Sequence, residues 1–484
     1  MIALLALKSL LVGLVFLGAL PLLLADYQFL LVGWHSRRLH YAHCRPYLPR
    51  VTVLVPAWNE AAVVGAAIDR LLHLDYPAGR LRIIVVDDAS TDGTAAVAGA
   101  KVAEYPDRVV HLRRAEGGQG KAAALNEGLA QVLASDWSQA VLIIDADVIL
   151  GPRALHALTR HLADPAVGSV TGYIREGSRP GNYLTRFIGY EYIVASAAAR
   201  RSQNVLGVVA CLAGGAQLHS RANIEAIGGR IDTGTLAEDT VTTFQTQLAG
   251  HRAIFEPHAA VSAEEPMAIA GLWRQRLRWA RGNLQVTGRF RGVWFRPGTP
   301  GGLGGISFGL IWFSLLLLPM FMLCASASLV TLYFIDYQLA LTAFHVLWLT
   351  SVLTYVFITS FALLIDPPVG RRTWRQALLF PGLVNVLIMA TAVVPAVLTL
   401  AGGWERGILL FTCVWLAACM AVAYLGKLAE PRWAGRITGP LFVYVAGYGP
   451  LLCAIACAAY LKELRHADAR WEKTEKTGQA VSPV

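Results

Sequence analysis

The chain has 484 residues, of which 55% are hydrophobic and 15% are charged, and its net charge is +10. The charged share is low for a soluble enzyme, in which about a quarter of the residues are charged. The positive charge suits an anionic membrane leaflet or a nucleotide-diphosphate ligand, and no basic tract or recognition motif favours a nucleic acid as partner. No CxxC pair occurs among the seven cysteines, so neither a zinc site nor a disulfide framework is supported.

Hydrophobic segments lie at both ends of the chain. Ala3 to Trp34 is nearly uninterrupted and too long for a signal peptide, and it has no small-x-small cleavage site, so we expect a retained anchor helix. Five further segments are close to or above the roughly 20 residues that a spanning helix needs. They are residues 308–335, 339–365, 377–400, 408–426 and 440–461. The sequence therefore predicts an integral plasma-membrane protein with several spans.

Basic residues after the first span place the following domain in the cytoplasm, because short cytoplasmic loops carry an excess of Lys and Arg. The basic tail conflicts with strict alternation of six spans, so one segment could be re-entrant or interfacial. The predicted organisation is an anchor at 1–36, a cytoplasmic domain at 37–265, amphipathic interface helices at 266–303, about five spanning helices at 304–461 and a polar tail at 462–484.

Three strands are predicted in the cytoplasmic domain: Val51–Val55, Arg82–Val86 and Ala140–Ile144. Helical patterns such as Ala61–Leu72 and Lys121–Leu133 alternate with them, which indicates an α/β domain with a mainly parallel sheet. Ligands of such sheets bind beyond the carboxyl ends of the strands. No phosphate-binding glycine loop of the P-loop or dinucleotide-binding kind occurs.

Polar clusters follow each predicted strand. The expected donor-binding residues at the first two strand ends are Pro56, Glu60, Asp87 and Asp88, where a carboxylate could accept the imide N–H of uracil or form an Asx turn. Asp145 and Asp147 follow the third strand. Residues i and i+2 of a strand face the same way, so these two could present oxygen ligands to Mg²⁺ or Mn²⁺ or could form a turn.

Three further groups fall downstream of these strand ends. Lys121 follows a glycine-rich segment at a helix start, where it could meet phosphate. Glu238 and Asp239 could supply a general base, Asp239, or favour a first helical turn. Residues 272–288 have the spacing of a basic amphipathic helix, compatible with a membrane surface. Within it Gln275, Arg276, Arg278 and Trp279 could hold a diphosphate and an acceptor sugar.

These clusters, in this order, resemble the processive, membrane-integrated members of family 2 of the glycosyltransferases, such as cellulose, chitin, hyaluronan and poly-N-acetylglucosamine synthases. The matching segments are 85–94, 120–128, 145–147, 211–221, 238–239 and the Gln-x-x-Arg-Trp pattern at 275–279. The resemblance covers about Val51 to Arg289. It implies a glycosyltransferase-A fold, that is, a nucleotide-diphospho-sugar transferase domain, beside an α-helical transmembrane region.

The resemblance also implies roles for individual residues. Asp88 or Asp87 would contact uridine, and Asp145 with Asp147 would bind metal and diphosphate. Asp239, next to Glu238, would be the base of an inverting transfer. The four motif residues would hold diphosphate and acceptor, and Gly214 and Gly215 lie in the acceptor-side segment.

The expected activity is polymerisation of a UDP-sugar into a β-linked polysaccharide that is exported across the membrane. Transfer of one sugar to a lipid acceptor is the alternative, and a non-catalytic membrane component is disfavoured because the carboxylates and arginines are retained. The expected partners are the UDP-sugar donor, a growing glycan or lipid acceptor, and the lipid bilayer, while accessory subunits or a homo-oligomer stay open.

Overall fold

The computed structural model describes residues 1–38, 41–393, 405–430, 438–468 and 480. These residues form two compact units. The sheet unit comprises Leu31–Pro266 and Gln285–Phe308, and the helical unit comprises Met1–Leu30, Met267–Leu284 and Gly309–Ala467.

One eight-stranded sheet organises the sheet unit. Its strands are β1 (Val51–Ala57), β2 (Leu81–Asp87), β3 (Val109–Arg113), β4 (Ala140–Ile144), β5 (Ile149–Leu150), β6 (Val167–Glu176), β7 (Ala216–Ser220) and β8 (Arg252–Ala263). Their spatial order is β3-β2-β1-β4-β7-β6-β8-β5. β3, β2, β1 and β4 run parallel, β7 is antiparallel to both neighbours, β6 and β8 are parallel, and β5 is antiparallel to β8. The expected α/β fold with a mainly parallel sheet is confirmed.

The helices follow in chain order. They are α1 (Ile2–Leu17), α2 (Leu20–Arg38), α3 (Val64–Leu72), α4 (Thr94–Glu104), α5 (Lys121–Leu133), α6 (Ala154–His161), α7 (Tyr183–Glu191), α8 (Ala199–Leu206), α9 (Arg221–Ala226), α10 (Glu238–Leu248), α11 (Ile269–Arg289), α12 (Ile306–Leu316), α13 (Leu318–Ile335), α14 (Tyr337–Ile365), α15 (Pro367–Leu378), α16 (Leu383–Val393), α17 (Glu405–Ala429), α18 (Thr438–Ala446) and α19 (Tyr448–Leu464). A π-helical segment, Tyr192–Ala198, joins α7 to α8, and short 3₁₀ turns occupy Tyr41–His43, Ala78–Arg80 and Pro300–Gly302.

Both faces of the sheet are buried, which explains why its parallel strands are continuous hydrophobic runs. Val53 and Val55 of β1 belong to a core cluster that includes side chains of α3 and α6. Leu54, between them, belongs to the cluster on the other face, which includes side chains of α5. This alternation fixes the register, and therefore brings the carboxyl ends of β1, β2 and β4 to one edge of the sheet.

A buried polar group lies in β7, beside β4. His219 is fully buried, with Nε2 3.0 Å from Gln217 Oε1 and Nδ1 3.1 Å from Asn223 Nδ2. Burial lowers the pKa of His219 to about 4. The ring is therefore neutral in the folded protein at neutral pH, and its two hydrogen bonds satisfy both nitrogens.

Within the described part of the chain, four helices are long and apolar enough to cross a membrane: Ile2–His35 taken as one span, Leu318–Ile335, Tyr337–Ile365 and Glu405–Ala429. Two further helix pairs qualify only when each bent pair counts as one span. They are Pro367–Leu378 with Leu383–Val393, bent by 77°, and Gly439–Ala446 with Tyr448–Leu464, bent by 97°.

The bends of these two pairs touch each other. A Cβ on Gly447 would lie 2.3 Å from the carbonyl oxygen of Pro381, and one on Gly382 would lie 2.5 Å from the carbonyl carbon of Ala446. Both glycines have positive φ, so at each bend a left-handed backbone coincides with a close approach that leaves no room for a side chain. The straight helices predicted for 377–400 and 440–461 are thus divided in the described part of the chain, and residues 394–400 lie outside it.

Candidate active site

Asp87 and Asp88, at the end of β2, each hold a loop segment in place. Asp87 is fully buried, and its Oδ1 accepts the Ser90 N–H at 2.8 Å. Asp88 pairs with Arg114 and accepts the Gly118 N–H at 3.1 Å. Asp87 therefore holds its own loop, whereas Asp88 holds the glycine-rich segment that leads into α5.

The residues after β1 face the same loops. The Glu60 N–H donates to Thr94 Oγ1 at 2.8 Å, and the Asn59 N–H donates to Ser90 Oγ at 2.9 Å. Pro56 is the penultimate residue of β1 and pairs in register with Val86 of β2. Pro56 and Glu60 thus lie at the sheet edge where the sequence predicts the donor.

Lys121 is the centre of a charged cluster at this edge. Its Nζ lies 2.6 Å from Asp145 Oδ1 and 4.0 Å from Glu238 Oε1, and it donates to the carbonyl oxygen of Gly214 at 2.8 Å. Burial disfavours the charged amine, but the coulombic attraction of Asp145 and Glu238 outweighs it and raises the pKa of Lys121 above its usual value. Lys121 is therefore a cation that links the end of β4 to the start of α10.

Asp239 occupies the first turn of α10, and backbone donors hold both of its oxygens. Oδ2 accepts the Gly214 N–H at 3.0 Å, and Oδ1 accepts the Thr240 N–H at 2.7 Å. A Cβ on Gly214 would lie 3.0 Å from Asp239 Oδ2, tighter than ordinary van der Waals contact. Gly214 thus allows its backbone to approach the carboxylate and fixes the carboxylate's orientation.

Gly215 lies on the other side of the cluster. Its carbonyl oxygen accepts the Asp145 N–H at 3.3 Å. A Cβ at this position would meet Val148 and Ile174 side chains at 3.2 and 3.4 Å and Asp145 Oδ2 at 3.9 Å. The Gly214-Gly215 segment therefore connects the two predicted carboxylate groups, at Asp145 and at Asp239.

Asp145 and Asp147 fit a hard divalent cation by the chemistry of their oxygens. Both are partly exposed just beyond β4. Among the described residues, no group of three or more His, Cys, Asp or Glu side chains could hold a metal ion. Two carboxylates completed by substrate phosphates and water are the usual arrangement for Mg²⁺, so this donor set suits a cation that enters with a diphosphate.

The Gln-x-x-Arg-Trp residues lie on α11 in the helical unit. The buried Arg276 donates to Gln275 Oε1 at 2.6 Å, and its guanidinium lies 4.1 Å from the centre of the Trp279 ring. Arg278 is half-buried, and Trp279 is 36% exposed. Arg276 thus orients the indole through a cation–π contact.

The start and middle of α11 are anchored within the helical unit. Glu430 accepts the N–H groups of Ile269 and Ala270, both at 2.9 Å. Arg281 Nε lies 2.5 Å from Glu463 Oε1. Lys427 lies 4.4 Å from the centre of the Trp273 ring. The helix that carries the motif is therefore fixed on both sides of residues 275–279.

The structure brings together five of the predicted site residues, namely Lys121, Asp145, Gly214, Glu238 and Asp239. It assigns the motif residues to a separate unit. Sequence reasoning missed Arg114, the partner of Asp88. A signal was present, because the Arg113-Arg114 pair directly follows a strand-like run.

Residues 49–282 match the family model described as "Glycosyltransferase like family 2". Among solved structures, the fold resembles a mannosyltransferase from Pyrobaculum calidifontis, PcManGT, solved with GDP-Man and Mn²⁺. The TM-score is 0.51 at 23% identity, and the match covers 79% of this chain and 99% of that one. The sheet unit therefore has a glycosyltransferase-A-like fold, and residues 49–282 resemble family 2 of the glycosyltransferases.

Two curated relatives bear different names. The β-monoglucosyldiacylglycerol synthase of Synechocystis sp. is 32% identical over 240 residues, which are 50% of this chain and 49% of the relative. The poly-β-1,6-N-acetyl-D-glucosamine synthase of Staphylococcus aureus is 31% identical over 241 residues, 49% of this chain and 56% of the relative. The chain spans about half the length of these relatives. Both names describe glycosyltransferases.

Proposed function

We propose that the protein transfers a sugar from a nucleotide-diphosphate donor, with inversion, onto the end of a growing β-linked glycan that leaves through the membrane. The observation that carries this proposal is the cluster around Lys121. Lys121 contacts Asp145, a carboxylate expected near the diphosphate, and it also contacts Gly214, whose N–H donates to Asp239. An inverting single displacement needs one base for the acceptor hydroxyl and one site that stabilises the charge of the leaving group.

Asp239 would act as the general base. Its two oxygens accept backbone N–H groups at 3.0 and 2.7 Å. Oδ1 also accepts the Thr240 hydroxyl at 3.4 Å, so Oδ2 is the oxygen proposed to accept the proton of the acceptor hydroxyl. Deprotonation of that hydroxyl would start its attack on the anomeric carbon, while the bond from that carbon to the diphosphate oxygen breaks. Glu238, 4.0 Å from Lys121, would balance the lysine's charge.

Asp145 and Asp147 would hold Mg²⁺ or Mn²⁺, which when bound supplies charge stabilisation for the leaving diphosphate. Lys121 pairs with Asp145 at 2.6 Å, and it would exchange this partner for a phosphate oxygen once the donor enters. Arg278, less buried than Arg276, would provide a second cation for the diphosphate.

UDP is the proposed nucleotide, because Asp88 lies at the sheet edge where a carboxylate can accept the imide N–H of uracil. Asp87 is less suited, since it is fully buried within its loop. Pro56 and Glu60 would line the same subsite. Trp279, partly exposed and oriented by Arg276, would stack beneath the acceptor sugar.

Single transfer to a lipid acceptor is the second candidate. It draws support from the relative named for a glucosyldiacylglycerol and from the bent pairs, because broken helices can open a lateral site for a lipid. In both cases we propose an integral plasma-membrane protein with a cytoplasmic sheet unit, since basic residues follow the first span.

Product analysis tests both candidates. The purified full-length protein in lipid vesicles would receive Mg²⁺ or Mn²⁺ and a panel of labelled nucleotide sugars. A long, glycosidase-digestible product from one donor supports polymerisation, and a single-sugar lipid adduct supports the second candidate. Removal of the divalent cation by chelation should stop transfer and its return should restore it. Full activity in chelator would refute the roles of Asp145 and Asp147.

A further inference from the structure

A thiol, an imidazole and a carboxylate form a chain of contacts outside the candidate active site. Cys44 follows the Tyr41–His43 turn in the connector that leads to β1. Its Sγ lies 3.5 Å from His161 Nδ1, and His161 Nε2 lies 2.7 Å from Glu256 Oε2. The imidazole therefore stands between the thiol and a carboxylate, the order in which such groups activate a cysteine nucleophile.

Glu256 is fixed in this arrangement. It is fully buried in β8, next to an irregularity in the β6–β8 pairing. Its second oxygen lies 2.8 Å from His258 Nδ1 and accepts the His258 N–H at 2.7 Å. Burial alone favours the neutral acid, but the hydrogen bonds from His161 and His258 outweigh it and lower the pKa of Glu256 to about 2. Glu256 is thus a permanent acceptor that orients the His161 ring.

His161 carries protons on both ring nitrogens at neutral pH. Burial by itself lowers its pKa, but hydrogen bonds with Cys44 and Glu256 outweigh burial and raise the pKa to about 9. The Nε2–H donates to Glu256, and the Nδ1–H points to the sulfur. A thiolate formed at Cys44 would therefore meet a positively charged donor.

Other charged or titratable groups surround the triad. His258 lies against the Tyr41 ring, with ring centres 5.6 Å apart, and Arg160 lies 5.6 Å from the centre of the same ring. His35 is buried nearby and interacts electrostatically with both triad residues His161 and Glu256. Arg160 and His258 thus both lie against Tyr41, in the turn that precedes Cys44.

Reagents can reach the sulfur from solvent. Cys44 is half-buried, whereas its neighbours His43 and Arg45 are exposed. The thiol is free in the structure. His161 and Glu256 lie behind it in the interior, so the triad combines a buried imidazolium–carboxylate pair with a half-buried thiol.

We propose that Cys44, assisted by His161 and Glu256, is a thiol-modification site that exchanges with low-molecular-weight disulfides. The Cys44 thiolate attacks one sulfur of the disulfide, a new S–S bond forms at Cys44, and the old S–S bond breaks. Cys44 is oxidised, the disulfide is reduced, and the electron pair leaves on the released thiolate, which takes up a proton from solvent. This site is independent of sugar transfer.

Disulfide exchange followed by mass spectrometry tests the proposal. The full-length protein in detergent is treated with glutathione disulfide at pH 6.5 to 9, and modification is measured on the tryptic fragment Leu39–Arg50, because trypsin does not cleave between Arg45 and Pro46. The synthetic peptide Tyr41–Tyr47 provides a matched thiol without His161. An ordinary thiol with a pKa of about 8.5 is about 1% thiolate at pH 6.5. Because His161 lies within hydrogen-bond distance of the attacking sulfur, we expect Cys44 to react about tenfold faster than the peptide at pH 6.5.

His161→Gln and Glu256→Gln should bring the rate at pH 6.5 down toward that of the peptide. Thermal melting shows whether each variant is folded, and if neither is, the comparison of wild-type protein with peptide decides. The proposal is overturned if folded wild-type protein reacts no faster than the peptide, or if folded His161→Gln reacts at the wild-type rate.

Discussion

Asp239→Asn separates the chemical role of the carboxylate from its structural role. Asp239 accepts two backbone N–H groups, from Gly214 and Thr240. An asparagine has nearly the same shape but only one oxygen, so its NH₂ group must face one of these donors. The substitution removes the base and also leaves one N–H without an acceptor.

The two losses have different magnitudes and appear in different measurements. Loss of a general base lowers turnover by about 10²- to 10⁴-fold, or roughly 2.7 to 5.5 kcal/mol of barrier. An unsatisfied N–H costs about 1–3 kcal/mol of folding stability. In a domain of this size, that corresponds to a fall in the melting temperature of roughly 2–12 °C. The protein should remain folded at 25 °C while sugar transfer falls at least about 100-fold.

The assay is sugar transfer at saturating donor, with donor affinity measured in parallel by calorimetry. We expect the donor Kd to change less than about threefold, because Asp239 does not meet the diphosphate in the proposed mechanism. Glu238→Gln is the matched control in the same helical turn, and its loss should stay below about tenfold. Folded Asp239→Asn with more than a tenth of wild-type turnover would remove Asp239 from the role of base. A larger loss in Glu238→Gln would transfer that role to Glu238.

Three further outcomes follow from the geometry. Gly214→Ala places a Cβ 3.0 Å from Asp239 Oδ2 and should lower turnover about tenfold. Gly215→Ala places its Cβ mainly against side chains that can move, so it should lower turnover less. Equal losses of turnover in the two variants would contradict this account. Burial lowers the pKa of His219 to about 4, below the 6.5 of an unfolded chain, so the unfolded state binds the extra proton and stability should fall as the pH drops from 6.5 to 4. The expected loss of stability is on the order of 3 kcal/mol. The prediction is refuted if the melting temperature of the wild-type protein does not change over this pH range, or if that of His219→Gln changes equally. Trp279→Ala should raise the acceptor KM about three- to tenfold without changing the donor Kd, and an unchanged KM would exclude stacking on the indole.

Local sequence signals predicted the first half of the sheet closely. Ala140–Ile144 and Lys121–Leu133 have the predicted bounds, and Val51–Val55 extends by two residues to Ala57. These elements are long apolar runs or clear periodic patterns ended by glycine or aspartate, so local propensity and burial agree. β7 and β8 gave weaker signals because they carry buried polar residues, such as His219 and Glu256, which interrupt the apolar pattern.

The sequence names the residues of the candidate site but does not predict which of them contact one another. Asp145, Glu238 and Asp239 were named from their positions at strand ends and helix starts. Lys121 bridges Asp145 and Glu238, which lie 24 and 117 residues away along the chain, and Gly214 donates to Asp239, which lies 25 residues away. Spacing along the sequence carries no information about such distances, whereas the antiparallel insertion of β7 beside β4 determines them.

The bent helix pairs leave the number of spans between four and six among the described residues. Leu383–Val393 and Tyr448–Leu464 belong to apolar runs of nearly spanning length, but Gly382 and Gly447 adopt positive φ at the bends. Bends of 77° and 97° turn the partner helices away from a common axis, so each pair crosses less depth than its residue count suggests. If one pair does not span, the number of crossings falls to five and the basic tail returns to the cytoplasmic side. A protease-accessibility measurement on a tag at the C-terminus of vesicle-embedded protein decides this: cleavage on the same side as the sheet unit requires an odd number of spans, and protection there requires an even one.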